Sequence, residues 1–242
     1  MNNTNFILNS IPPKGEGDII LSNLSDKIIK CKKNIQWYGY FSSTSVYGNH
    51  LGKWVDESTK LMPTNLRGKL RMKSEYQHLK LFKQHALPVH IFRLPGIYGP
   101  GRSIFERLQS DKKIQIIKKG HFFSRVHVED IANAINISMK KITPGEIFNI
   151  CDDLPSQSDV VVKYAAKLMN IKNIQTINFD SSELNKKTKS FYLDNKRVKN
   201  KKIKKILEWT PKFRTYKLGL NDLFKLLKNE NSSTSSSFSE KN

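Results

Sequence analysis

Cysteine is scarce: Cys31 and Cys151 are the only two in 242 residues, far apart and in no C-x-x-C pair. That argues against a disulfide scaffold and a cysteine-based zinc site, and fits a reducing compartment, with the cytoplasm the expected location. Long apolar runs are lacking as well. Nothing approaches the roughly 20 apolar residues of a membrane span. The short run in MNNTNFILNSIPP is too brief for the core of a secretory signal. Acidic residues are few, 21 Asp plus Glu against 42 Lys plus Arg, leaving a net charge of +21. Such a balance attracts nucleic acid non-specifically, but no zinc-finger spacing, RNP aromatic signature or clear helix-turn-helix accompanies it. The excess is mostly Lys, spread along the chain among Asn and Ile, as coding bias in an AT-rich genome produces. The densest block, DNKRVKNKKIKKIL at 194–207, carries Val198, Ile203 and Ile206 at helical spacing and reads as a solvated helix face. Neither a specific nucleic acid nor a membrane is an expected partner.

What is present is an alternation of strand and helix signals. TNFILNS (4–10), IQWYGYFSS (35–43), LPVHIFRL (87–94), EIFNI (146–150) and NIQTINF (173–179) read as strands. Helical segments are expected at 18–33, about 65–84, 126–141, 156–170, within 194–207 and at 217–229, with Ser156 or Ser158 capping the fourth. The stretch between residues 44 and 65 is polar and punctuated by Gly and Pro. Strands alternating with helices imply an α/β fold with a parallel, Rossmann-like sheet, whose ligands sit at the carboxyl ends of the strands. Residues 1–141, including the loop at 94–125, form the expected parallel-sheet domain. Residues 142–229 form a small α+β C-terminal region, and the Ser-rich tail 230–242 is expected to be disordered.

Four motifs carry a resemblance. SSTSVYG (42–48) follows an apolar strand and precedes Asp56-Glu57 and a Pro-led helix; RLPGIYGPG (93–101), SRVHVEDIA (124–132) and EIFNICDDLPSQSDVV follow in order. Together they resemble the extended short-chain dehydrogenase/reductases, the NAD-dependent epimerase/dehydratase family, over residues 4 to about 228. The resemblance implies NAD or NADP as cofactor, a small-molecule substrate, a catalytic hydroxyl at Ser43, substrate-side contacts near Arg67 and Arg71, and cofactor-side contacts at Ser10, Pro12, Ser42, Pro95 and Gly96. No metal is expected.

The chain also departs from that family. In the family, the strand-end hydroxyl works with a Tyr-x-x-x-Lys pair on the next helix, the tyrosinate acting as base and the lysine depressing its pKa. Pro63 sets the tyrosine position at residue 67 and Glu75 sets the lysine position at residue 71, and both are arginine. Arginine stays protonated, so Arg67 and Arg71 cannot act as bases, but four residues apart they share a helix face on which an anionic substrate could be clamped. Tyr76 and Lys80 repeat the pattern one register on, without its anchors. The glycine-rich phosphate turn is missing too, and GEGDII (15–20) is not a substitute. On this alignment Phe6 to Ser10 is the family's fourth strand and the first three are missing. Met1 is then internal to a longer gene, or the edge at residues 4–10 pairs with another chain, an oligomer included. An atypical NAD(P)-binding, epimerase/dehydratase-like protein is the leading expectation. The alternative is a non-catalytic nucleotide-binding or regulatory protein, or an incomplete domain requiring a partner; a basic nucleic-acid binder ranks last.

Overall fold

A computed structural model describes residues 3–15, 17–109 and 113–238. The chain begins with β1 (Phe6–Asn9), α1 (Ile19–Lys30) and β2 (Trp37–Ser43), the last running into a 3-10 turn at Thr44–Tyr47. Next come β3 (Trp54–Val55), α2 (Leu66–His85), β4 (Val89–Leu94) and β5 (Gly96–Tyr98). The middle of the chain supplies α3 (Ile104–Gln109), β6 (Ile114–Ile117), β7 (Arg125–His127), α4 (Val128–Lys140) and β8 (Ile147–Asn149). It closes with α5 (Ser158–Leu168), β9 (Gln175–Asn178), α6 (Lys186–Phe191), β10 (Arg197–Val198), α7 (Lys201–Leu207) and α8 (Tyr216–Phe238).

The main sheet is parallel throughout, in the order β1-β2-β4-β8. Its strands are short apolar runs because both faces are covered. Tyr38, Tyr40, Val89 and Ile91 pack beneath α1 and α2 with Ile28 and Leu81. Trp37, Phe92 and Phe148 face the other way, onto α4 and α7, with Ile131, Ile135, Ile203 and Leu207. β1 lies at the edge of this sheet, and its Phe6 and Leu8 are exposed. A second core, built from Phe105, Leu108, Val162, Tyr216 and Leu223, holds α3, α5 and α8 together. Three two-stranded parallel ribbons, β5-β7, β6-β9 and β3-β10, complete the described strands. Among the described residues no helix is long and apolar enough to cross a membrane.

Several expectations need correction. Val198 is not on a helix stripe: it is buried in β10, paired with Val55 of β3, and only Lys201–Leu207 of the basic block is helical. The cap of α5 is Gln157, neither Ser156 nor Ser158; the Ser156 hydroxyl instead donates to the Leu154 carbonyl. The strand at 146–150, grouped above with the C-terminal region, bonds to β4 as β8, so the sheet extends past residue 141. The helix read at 126–141 starts only at Val128, because Arg125–His127 first pairs with β5. Helix α8 continues through Phe238 into the Ser-rich tail, where neither Gly nor Pro interrupts it, and residues 239–242 lie outside the described residues.

One position shows how tightly the sheet face is fitted. Trp37 is fully buried, its indole N–H donating to Ser138 Oγ of α4 at 3.0 Å, and its ring lies over Gly39, where a Cβ would overlap it. Gly39→Ala is therefore expected to destabilise the fold by about 1–3 kcal/mol through overpacking. Urea denaturation followed by tryptophan emission measures it, and an unchanged midpoint would refute the fit.

Candidate active site

The carboxyl ends of β1, β2 and β4 lie side by side, with Asn9 paired to Tyr40 and Ser43 to Leu94. Strand alternation sends Ser42 towards α2 and Ser43 towards the other face. The Ser42 hydroxyl is buried and donates to Glu75 Oε1 at 2.5 Å. It is thereby held in the protein interior, against α2 and not at the exposed rim where the resemblance expects a cofactor contact. The Ser43 hydroxyl caps the 3-10 turn, accepting from the Ser45 N–H at 3.2 Å. That turn packs on the start of α2 so closely that Gly68 admits no side chain: a Cβ there would lie 2.7 Å from the Ser45 carbonyl oxygen. Ser43 and the first turn of α2 are thus brought together.

The two arginines part company. Arg67 is exposed, with its guanidinium 5.9 Å from the Phe191 ring centre at the end of α6. Arg71 turns back to the sheet, donating to the Phe41 carbonyl and, at 3.1 Å, to the Tyr40 hydroxyl. A two-arginine clamp is not assembled, because a strand-end carbonyl competes for the second guanidinium. Tyr40 beside Arg71 places a phenol next to a cation, as a Tyr-Lys pair does. It cannot serve as a base at neutral pH: it is fully buried, and desolvation raises its pKa against the opposing pull of Arg71. Tyr76 and Lys80 both lie exposed on α2, and Tyr76 is not among the buried residues that face the sheet.

Beneath the strand ends runs a buried polar network. Arg93 of β4 makes a two-pronged ion pair with Glu75 of α2, Nε to Oε1 at 3.0 Å and Nη2 to Oε2 at 2.7 Å. Its Nη1 donates to the Tyr47 hydroxyl at 3.0 Å, which donates to Asn149 Oδ1 of β8 at 2.8 Å. The Asn149 N–H in turn reaches Glu57 Oε1 at 2.8 Å. Burial works against the Arg93 charge, but the hydrogen bonds and charge of Glu75 outweigh it and raise its pKa. Burial also raises the pKa of Glu57, the Asn149 N–H opposing.

A second network shapes the loop after β1. Asp18 caps α1, accepting from the Leu21 N–H at 3.0 Å, and receives both carboxylate contacts of Asn9 Nδ2 at 3.1 and 3.2 Å. His78 donates from Nδ1 to the Ser74 carbonyl at 2.8 Å, so its Nε2 accepts from the Tyr38 hydroxyl at 3.2 Å. Desolvation keeps this imidazole neutral by lowering its pKa.

The other positions expected on the cofactor side lie at the rim of the strand ends. Ser10, Pro12 and Gly96 are exposed and Pro95 is half-buried, so backbone and small side chains lie open at the ends of β1 and β4. The pyrophosphate does not fit α1: its N-terminus is already occupied by the buried Asp18 carboxylate, which repels phosphate. His127 caps α4, accepting from the Glu129 N–H at 3.3 Å, and Tyr47 and Tyr98 are buried. Trp54 is half-exposed beneath Arg197, whose guanidinium lies 5.4 Å from the indole centre. Asp194, Asn195 and Lys196, which line the approach to α2, were hidden in the basic block; no pattern in the sequence singled them out.

Two measurements follow. Removing one partner of the Glu75-Arg93 pair by Arg93→Met or Glu75→Leu should cost about 3–5 kcal/mol by stranding a buried charge, and the double replacement less than the sum. A double-mutant cycle by chemical denaturation tests this, additive losses refuting it. Asp152, at the end of β8, has its pKa pushed up to about 8, mainly by burial. Its folded pKa exceeds its unfolded one, so its contribution is full in acid and is lost as pH rises from about 4 to about 8, by at most about 1.4 kcal/mol per pH unit. Asp152→Asn should flatten that part of the pH-stability curve; parallel curves for the two proteins would refute the assignment.

A dTDP-D-glucose 4,6-dehydratase from Homo sapiens is 30% identical over 124 residues, covering 48% of this chain and 35% of its own length. The chain therefore spans about a third of that curated relative. A functionally unknown conserved protein from Silicibacter pomeroyi, of known structure, is 42% identical with a TM-score of 0.87, over 90% of this chain and 77% of that one. A Bacillus anthracis dTDP-glucose 4,6-dehydratase in complex with NAD shares the fold, with a TM-score of 0.72 at 20% identity over 94% of this chain and 74% of its own. The model of the NAD dependent epimerase/dehydratase family matches residues 22–151, from α1 through the end of β8. That span takes in the strand-end serines, both arginines and the Glu75-Arg93 pair, and by it the chain belongs to the NAD-dependent epimerase/dehydratase family.

Proposed function

We propose that this protein binds the nicotinamide end of NAD or NADP at the strand ends and takes a small anionic substrate of the nucleotide-sugar class beside it. The observation that carries the reading is the junction of Ser43, the 3-10 turn and Arg67 at the carboxyl edge of a parallel sheet, where Gly68 lets the turn and α2 touch. Ser43 orients a substrate hydroxyl or carbonyl, Arg67 attracts the anionic group, and Arg71 braces the end of β2. NAD, when bound, supplies the hydride acceptor or donor. The reading assigns no proton transfer to residues 67 and 71, because arginine there supplies no base.

That substitution favours a second reading, a nucleotide-binding protein without catalysis, or one that draws missing groups from a partner. The exposed Phe6 and Leu8 at the unpaired edge of β1 are where a further strand or a second copy would add.

Titration of the chain with NADH and NADPH, read by protein fluorescence, should give saturable binding of similar strength for both, since the proposed contacts are to the nicotinamide end that the two share. Arg67→Ala should leave that binding intact and weaken UDP-glucose binding about tenfold. A folded chain that binds neither nicotinamide nucleotide would overturn the reading.

A further inference from the structure

One residue ties together three loops that meet over the substrate side. Asn195 lies between α6 and β10, in the segment that passes the start of α2. All four of its hydrogen-bonding groups are engaged. Its N–H donates to Asn49 Oδ1 at 3.1 Å, and its carbonyl accepts from the N–H groups of His50 and Gly52, both at 3.0 Å. Its side chain forks onto another loop, Nδ2 donating to the Gly120 carbonyl at 2.8 Å and Oδ1 accepting from the Phe122 N–H at 2.9 Å. The first loop follows the 3-10 turn that Ser43 caps, and the second precedes β7.

The neighbours of Asn195 fix the same segment to α2. Asp194 accepts from the Thr64 hydroxyl at 2.5 Å and from Asn65 Nδ2, the α2 cap, at 3.5 Å. Phe191, at the other end of the segment, lies under Arg67. The wall that this segment forms is joined to residues 120–122 by the Asn195 fork, which supplies two hydrogen bonds there, and by ring contacts: the Arg197 guanidinium over Phe122 and Tyr192 against His121. An amide suits the fork's role: it donates to one carbonyl and accepts from one N–H through two separate atoms, whereas a carboxylate has no donor for the Gly120 carbonyl.

We propose that Asn195 is the positioning residue of the substrate-side wall, holding it at the width a nucleotide sugar needs; this rests on the reading of the strand ends given above. Asn195 touches no reacting atom. It acts through the loops it joins, so its loss changes substrate affinity and leaves the nicotinamide side, at the ends of β1 and β4, as it was.

The test compares the full chain with Asn195→Ala and Asn195→Asp, titrating each with UDP-glucose and, separately, with NADH. Alanine removes both prongs of the fork, and aspartate keeps the acceptor for the Phe122 N–H. UDP-glucose affinity should fall about tenfold in the alanine variant and by less in the aspartate variant, with NADH affinity unchanged in both. If alanine prevents folding, the aspartate variant carries the same comparison. Wild-type UDP-glucose affinity in the folded variants overturns the inference, as does a parallel loss for NADH, which would mark a general structural role. A wild-type chain that binds NADH but not UDP-glucose also overturns it. A wild-type chain that binds neither overturns the strand-end reading itself.

Discussion

The structure depends on a buried ion pair. Glu75 and Arg93 lie in the layer between α2 and the sheet, and neither charge could remain there alone. Paired, they fix how α2 lies across β2 and β4, because Ser42 and Tyr47 bond to the same two side chains. The register of α2 then sets where residues 67 and 71 fall. Arg67 stays exposed beside Phe191 of α6, and Arg71, one turn on, meets the Phe41 carbonyl. Both arginines are thus displayed on a helix held in place by buried contacts.

Two buried networks divide the labour at the strand ends. The chain from Ser42 to Glu57 joins β2, α2, β4 and β8, while Asn9, Asp18 and His78 join β1, α1 and α2. Both are hydrogen-bonded on nearly all their polar atoms, which makes them rigid and leaves little free chemistry. What remains available lies at the rim: exposed small residues after β1 and β4, the Ser43 turn, and Arg67.

Much of this was legible in the sequence where a period was long enough to read. The apolar runs of β1, β2 and β4 and the stripes of α1, α4 and α5 fall within a few residues of the expected spans. The ribbons of two or three residues, β3-β10 and β5-β7, have no measurable period, and the sequence reads them as loop or helix. The Lys-rich block illustrates the cost. A charge run looks like a solvated helix, yet it conceals Asn195, a pinned connection, and Val198, a core residue. The inward turn of Arg71 was invisible for another reason: a backbone carbonyl as partner leaves no residue type to recognise. Burial of Ser42 followed from strand alternation, whereas the family pattern alone pointed to the cofactor.

The Glu75-Arg93 pair has a consequence for how such a chain changes over generations. Either residue exchanged alone leaves its partner's charge stranded, so a lineage can leave this arrangement only by altering both sites nearly together. Selection for folding therefore preserves the pair whether or not any reaction is still being catalysed. Retention of these two positions in descendants reports on the inheritance of a scaffold, and the exposed rim, free of that constraint, is where a history of gained or lost chemistry would be written.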